Sequence, residues 1–163
     1  MCIRDRAHAH PSTGFIGCDG FLNAAAKALT GIEERQLGNI RLHHGDALHL
    51  LDWMPEAQLS RVDLLYPDPW PKRRQRKRRF VQDDNLKRLA RVLKPGGEFR
   101  FASDIAGYVA WTLMHVQRTP DFEWIAETAA DWREPWPDFA GTRYEAKAKR
   151  EGRVPSYLRF RKR

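Results

Sequence analysis

The chain has 163 residues, 42% hydrophobic and 11% aromatic, which excludes a disordered polar chain and fits one domain with a real core. No run approaches the roughly 18–20 apolar residues of a membrane span, no N-terminal apolar stretch reads as a signal peptide, and the cysteines Cys2 and Cys18 could form at most one bridge, so a reducing, cytoplasmic setting is expected. The formal charge of +8, from 29 Lys+Arg against 21 Asp+Glu, points to an anionic partner.

Phe15–Cys18 is a short apolar run between Gly14 and Gly20, the pattern of a buried strand, with Asp19 at its end. Gly20–Glu34 carries Phe21, Leu22, Ala25, Ala28, Leu29 and Ile32 at helical spacing. Asn39–His43 alternates as a second strand, and Gly45-Asp46 opens a short helix through Leu51. Arg61–Tyr66 is a third strand that runs into Pro67-Asp68-Pro69-Trp70-Pro71, where three prolines in five residues predict a rigid loop. A helix is expected over Asp83–Leu93, stopped by Lys94-Pro95-Gly96-Gly97, then a fourth strand over Glu98–Ser103 ending at Asp104. A helix over Ala106–Arg118, a strand near Glu123–Ala126, a Trp- and Pro-rich loop, a helix over Gly141–Glu151 and a last strand over Ser156–Phe160 complete the chain. Strands alternating with helices predict an α/β domain with a mostly parallel sheet and helices on both faces.

The positive charge is concentrated. Lys72, Arg73, Arg74, Arg76, Lys77, Arg78 and Arg79 are broken only by Gln75, and a second basic stretch runs from Lys147 to Arg163. Like charges held together repel, and phosphates relieve that repulsion with release of counterions, so nucleic acid is the expected partner. Asp19, Asp46, Asp68 and Asp104 each fall just after a predicted strand, where ligands of such sheets collect. Turn and cap formation accounts for some of them. The six histidines sit in no zinc-ligand spacing and no dense carboxylate motif is present, so no metal is expected.

A nucleoside-containing cofactor suits these acids better. Asp19 is placed to accept from ribose hydroxyls and Asp46 from an adenine amino group, with Asp68 where the reactive end meets its substrate. In the proline loop, Asp68 and Trp70 are held in fixed relation, a carboxylate beside an aromatic face that can stack on a base, next to the cationic run.

Tyr66-Pro-Asp-Pro-Trp-Pro-Lys72 joined to Arg73–Arg79 resembles the signature of the bacterial tRNA (guanine-N7)-methyltransferase family. Phe15-Ile-Gly-Cys-Asp19, Gly45-Asp-Ala47, Leu93-Lys-Pro-Gly-Gly97, Ala102-Ser-Asp104 and Thr142-Arg-Tyr-Glu145 agree in order and spacing, over residues 7–163. The resemblance implies a Rossmann-like class I methyltransferase fold that uses S-adenosylmethionine (SAM) to methylate N7 of the variable-loop guanosine of tRNA, position forty-six by tRNA convention. It implies cofactor contacts from Asp19, Asp46 and Asp68, with Asp68 also catalytic. Substrate contacts are implied for Lys72, Asp104, Thr142, Arg143, Tyr144 and Glu145, and RNA contacts for Arg74, Gln75, Arg76, Lys77, Arg78 and Arg79. The enzyme is expected as a monomer or homodimer, with neither membrane nor metal.

The family's first strand and glycine-rich turn are expected upstream of Ala7–His10, and no Gly-x-Gly replaces them. Residues 1–6 do not resemble that region, which leaves 7–163 as one methyltransferase domain. Two other readings stay open: a non-catalytic RNA-binding remnant, and a methyltransferase acting on an exocyclic amino group, since Tyr66-Pro-Asp-Pro-Trp70 distantly resembles an Asp-Pro-Pro-Tyr loop.

Overall fold

The structure, a computed structural model, describes residues 3–139 and 141–163, so Met1, Cys2 and any pairing of Cys2 lie outside the described residues. The chain divides into two compact units, residues 1–53 and 54–163.

The first unit contains α1 (Ile3–Ala9), β1 (Phe15–Asp19), α2 (Leu22–Glu34), β2 (Ile40–His44) and α3 (Ala47–Trp53). β1 and β2 pair in parallel, Phe15 opposite Ile40 and Asp19 opposite His44, as a crossover through α2 requires. The helix α1 has no counterpart in the sequence expectations. It packs on α2 at Gly31, where an added Cβ would collide with the Arg4 guanidinium. Asn39 fastens the connection between α1 and β1, its amide donating to the carbonyls of Ala7, His10 and Thr13 at 3.0, 3.1 and 2.9 Å.

The second unit contains β3 (Leu59–Leu65), a 3-10 helix (Arg73–Arg78), α4 (Asp83–Val92), β4 (Leu93–Ser103), α5 (Ala106–Arg118), β5 (Phe122–Trp124), α6 (Ala130–Arg133), α7 (Arg143–Arg150) and β6 (Ser156–Lys162). The sheet order is β3-β4-β6-β5. β3 and β4 are parallel, whereas β6 runs antiparallel to both β4 and β5, so the parallel pattern expected from alternation stops at β4.

Alternation along β4 and β6 gives the sheet two different faces. Phe99, Phe101, Leu158 and Phe160 are all fully buried on one face, with Tyr108 of α5 edge-on to Phe101 at 5.1 Å. The other face carries Arg100 and Ala102 opposite Arg159 and Tyr157. Trp136 and Phe139 cover it, Trp136 lying 5.7 Å from Tyr157. Arg100 is tied to Glu98 at 2.9 Å and to Asp138 at 2.7 Å, so its buried charge is neutralised from two sides. Trp136 is therefore a core residue, 4% exposed.

Several boundaries differ from the sequence expectations, α6 lying inside the expected Trp- and Pro-rich loop, and three of the differences have a clear local reason. Lys94-Pro95-Gly96-Gly97 ends α4, but the strand is already running at Leu93, which pairs with Leu59. The register then shifts before Arg61 pairs with Glu98. Gly96 supplies the positive φ of 73°, and an added Cβ at Gly97 would meet the Lys94 carbonyl at 2.8 Å, so the glycines make an irregularity inside the strand. β5 begins at Phe122 because that ring is buried 6.1 Å from Phe99. α7 begins at Arg143 because Thr142 caps it.

Candidate functional site

In the first unit the ends of β1 and β2 bring Asp19 and Asp46 together. The Gly45 N–H donates to the Asp19 carbonyl at 3.3 Å. Each carboxylate accepts from the backbone N–H two residues on, Asp19 from Phe21 at 2.8 Å and Asp46 from Leu48 at 2.9 Å. These are the short turns that aspartate forms ahead of a helix, so turn formation accounts for part of both residues' role. It uses one oxygen of each, and both residues are exposed. The Cys18 thiol beside them is pushed up by burial, then by the Asp46 and Asp19 charges, which marks a shared negative patch. Two exposed carboxylates at adjacent parallel strand ends are an acceptor set of the right chemistry for a ribose diol and an exocyclic amine.

In the second unit β3 gives way at Tyr66, whose N–H donates to the Ala102 carbonyl of β4 at 2.8 Å. Tyr66 and Trp70 both adopt left-handed backbone, φ 51° and 40°. A non-glycine residue held there stores about 1–3 kcal/mol, and surrounding structure must maintain it. Asp68 lies between them, exposed and flanked by Pro67 and Pro69. The next element is the basic run, wound as a 3-10 helix with Lys72 at its N-cap. Lys72, Arg73, Arg74, Arg76, Lys77 and Arg78 are exposed, Gln75 is half-buried, and the Arg78 guanidinium lies 5.0 Å from the Trp70 ring centre. The run thus returns over the loop it follows. Arg79, expected among the RNA contacts, is 3% exposed and turned into the protein.

Asp104 and the Thr142–Glu145 segment also belong to this unit. Asp104 accepts from Nε of Arg153 at 2.5 Å, and Arg153 is paired with Glu151 as well. Thr142 accepts from the Glu145 N–H at 3.1 Å, the N-terminal cap of α7. The Glu145 carboxylate is buried and accepts from the Tyr157 hydroxyl at 2.5 Å and from Lys149 at 2.6 Å. Burial raises the Glu145 carboxyl, but Lys149 and Tyr157 outweigh it and hold the group below its ordinary range. Burial and that same bond push the Tyr157 phenol up. Tyr144 is exposed and stacked on Tyr66, ring centres 6.4 Å apart, with Arg143 donating to its hydroxyl at 2.8 Å.

Within Thr-Arg-Tyr-Glu, Thr142 caps the helix and the Glu145 carboxylate is buried against Tyr157 and Lys149, while Arg143 and Tyr144 stand at the surface, Tyr144 stacked on Tyr66. A Thr three residues before a Glu is the sequence signal for that start. The roles of Tyr66, Tyr157 and Arg153 carry no such signal, because their partners are distant in sequence. Among the described residues no group of three or more His, Cys, Asp or Glu is gathered to hold a metal ion, and no helix is long and apolar enough to cross a membrane.

The family model described as "Putative methyltransferase" matches residues 2–156. The tRNA (guanine-N(7)-)-methyltransferase of Nitrobacter hamburgensis is 61% identical over 156 residues, covering 96% of this chain and 61% of the relative. That of Agrobacterium fabrum is 58% identical over 158 residues, covering 97% and 68%. The chain thus spans about three fifths of the length of the first of these relatives. Among solved structures, the Streptococcus mutans protein SMU.1697c in complex with SAH is similar, with a TM-score of 0.58 at 12% identity, covering 92% of this chain and 76% of that one. At that identity the likeness concerns the fold, a Rossmann-like α/β arrangement of the class I methyltransferases.

Proposed function

Since this chain belongs to that methyltransferase family, we propose that it serves the SAM-dependent methylation of guanine N7 in the variable loop of tRNA. The observation that carries this reading is the segment 66–78. It holds an exposed acid between two left-handed aromatic residues, directly joined to a surface of exposed cations. The similarity in sequence to tRNA (guanine-N(7)-)-methyltransferases extends across this segment.

The residues fit the implied cofactor in the chemistry of their acceptors. Asp19 and Asp46 would hold ribose hydroxyls and the adenine amine. When bound, SAM supplies an electrophilic methyl group on a sulfonium. Guanine N7 has an available lone pair and needs no base before it attacks. The chain's own residues then act by alignment and electrostatics. Asp68 orients the reacting groups, and Trp70 offers an aromatic face to a base. Lys72, Asp104, Arg143 and Tyr144 meet the substrate around that turn, with Thr142 and Glu145 holding Arg143 and Tyr144 in place. Arg74, Gln75, Arg76, Lys77 and Arg78 lie along the phosphates.

Radiolabelled methyl transfer to unmodified tRNA, followed by mapping of the product, tests this. Label on N7 of the variable-loop guanine supports it. Label on an amino nitrogen favours the alternative enzyme, and salt-sensitive binding without transfer favours an RNA-binding protein alone.

The cationic strip makes a quantitative prediction. Replacing Arg74, Arg76, Lys77 and Arg78 together by glutamine should weaken tRNA binding. It should also flatten the dependence of log affinity on log salt by about 0.7–0.9 for each phosphate no longer neutralised. Anisotropy titrations at several salt concentrations read the slope. An unchanged slope would remove the strip from the RNA-binding surface.

A further inference from the structure

Resting on that reading, we propose that Arg79 contacts no RNA and instead acts as the positioning residue of the Asp68 loop. Its neighbours Arg73, Arg74, Arg76, Lys77 and Arg78 are all exposed, but Arg79 is 3% exposed. Its Nε donates to the carbonyl of Pro69 at 2.8 Å, and Nη1 donates to the carbonyl of Gly107 at 3.2 Å. The guanidinium lies 4.7 Å from the ring centre of Tyr108 and 5.1 Å from that of Trp111. Both rings are themselves fixed to the segment after Arg79. The Val81 N–H donates to the Tyr108 hydroxyl at 3.4 Å, and the Trp111 indole donates to the Val81 carbonyl at 2.7 Å.

This arrangement resolves a difficulty in the loop. Pro67, Pro69 and Pro71 have no N–H, so only Asp68 and Trp70 of these five residues offer a backbone donor. Yet Tyr66 and Trp70 sit in left-handed conformations that need outside support. Tyr66 is held by its own N–H on Ala102, and the Pro69 carbonyl is held by Arg79. The backbone linking Asp68 to Trp70 is thus fastened at the residue between them. A planar guanidinium can bond two carbonyls at its edge while its faces lie against aromatic rings, and an ammonium cannot do both. The last arginine of the run is consequently a different instrument from those before it, although the sequence presents them alike.

The test uses the wild-type chain and Arg79→Lys. Arginine labelling with phenylglyoxal, read by mass spectrometry, should modify Arg74, Arg76 and Arg78 in the free protein and be slowed at all three by tRNA, while sparing Arg79 in both states. Arg79→Lys should keep the wild-type salt slope of tRNA binding while single-turnover methyl transfer at saturating ligands falls about 100-fold, the scale of a misplacement near 1 Å. Labelling of Arg79 at the rate of its neighbours would overturn the proposal. So would an Arg79→Lys protein with a flattened salt slope and an unchanged saturated rate. If the wild type transfers no methyl group, the functional reading fails instead. The labelling pattern then still decides whether Arg79 is buried against the loop, without requiring any variant to fold.

Discussion

Asp68→Asn is expected to lower single-turnover methyl transfer by about 100-fold or more at saturating SAM and tRNA, with tRNA affinity within about threefold of wild type. The substitution preserves size and removes only the charge, so the turn formed by Pro67, Pro69 and the left-handed Trp70 should persist. In the proposed reaction, what disappears is the negative charge that Asp68 would bring to the reacting groups. Because guanine N7 already carries its lone pair, no proton needs to be taken. The effect should therefore appear in the transfer rate and not in a new pH dependence. Full retention of the rate would mean that Asp68 orients neither partner.

Glu145→Ala is expected to destabilise the second unit by about 2–4 kcal/mol, a fall in melting temperature on the order of 10 °C. The substitution leaves the buried Tyr157 hydroxyl without its acceptor and unpairs Lys149. Thr142→Ala, which removes only the helix cap, should cost about 1 kcal/mol. Glu145→Gln keeps an acceptor for Tyr157 and should fall between them. The same carboxylate contributes to acid stability. Burial works to raise its folded pKa, but Lys149 and Tyr157 prevail and depress it. Its contribution is therefore present above the ordinary carboxylate range and is lost as pH falls through the lowered value. Melting curves taken downward from neutral pH should show wild type and Glu145→Gln converging in acid. Parallel curves at all pH values would assign the stability to packing alone.

Both expectations bear on how a turn poor in backbone donors is kept in one shape. The loop depends on three anchors: a backbone bond at Tyr66, the Arg79 fork at Pro69, and the stacked Tyr144 held by a capped helix. Each anchor comes from a different part of the chain.

Sequence by itself determined the alternating order of elements, the strand-end position of Asp19, Asp46, Asp68 and Asp104, and the stiffness of the proline loop. Apolar periodicity and proline chemistry are local, so they can be read along the chain. It could not separate Arg79 from Arg78, since identical side chains one residue apart differ only in which distant rings and carbonyls they meet. Nor could it tell that Thr142 caps a helix, that the Glu145 carboxylate meets Tyr157 and Lys149, or that Asp104 pairs with Arg153. Only the tertiary structure decided those, because a charged group's role depends on whether burial and paired partners have already claimed it.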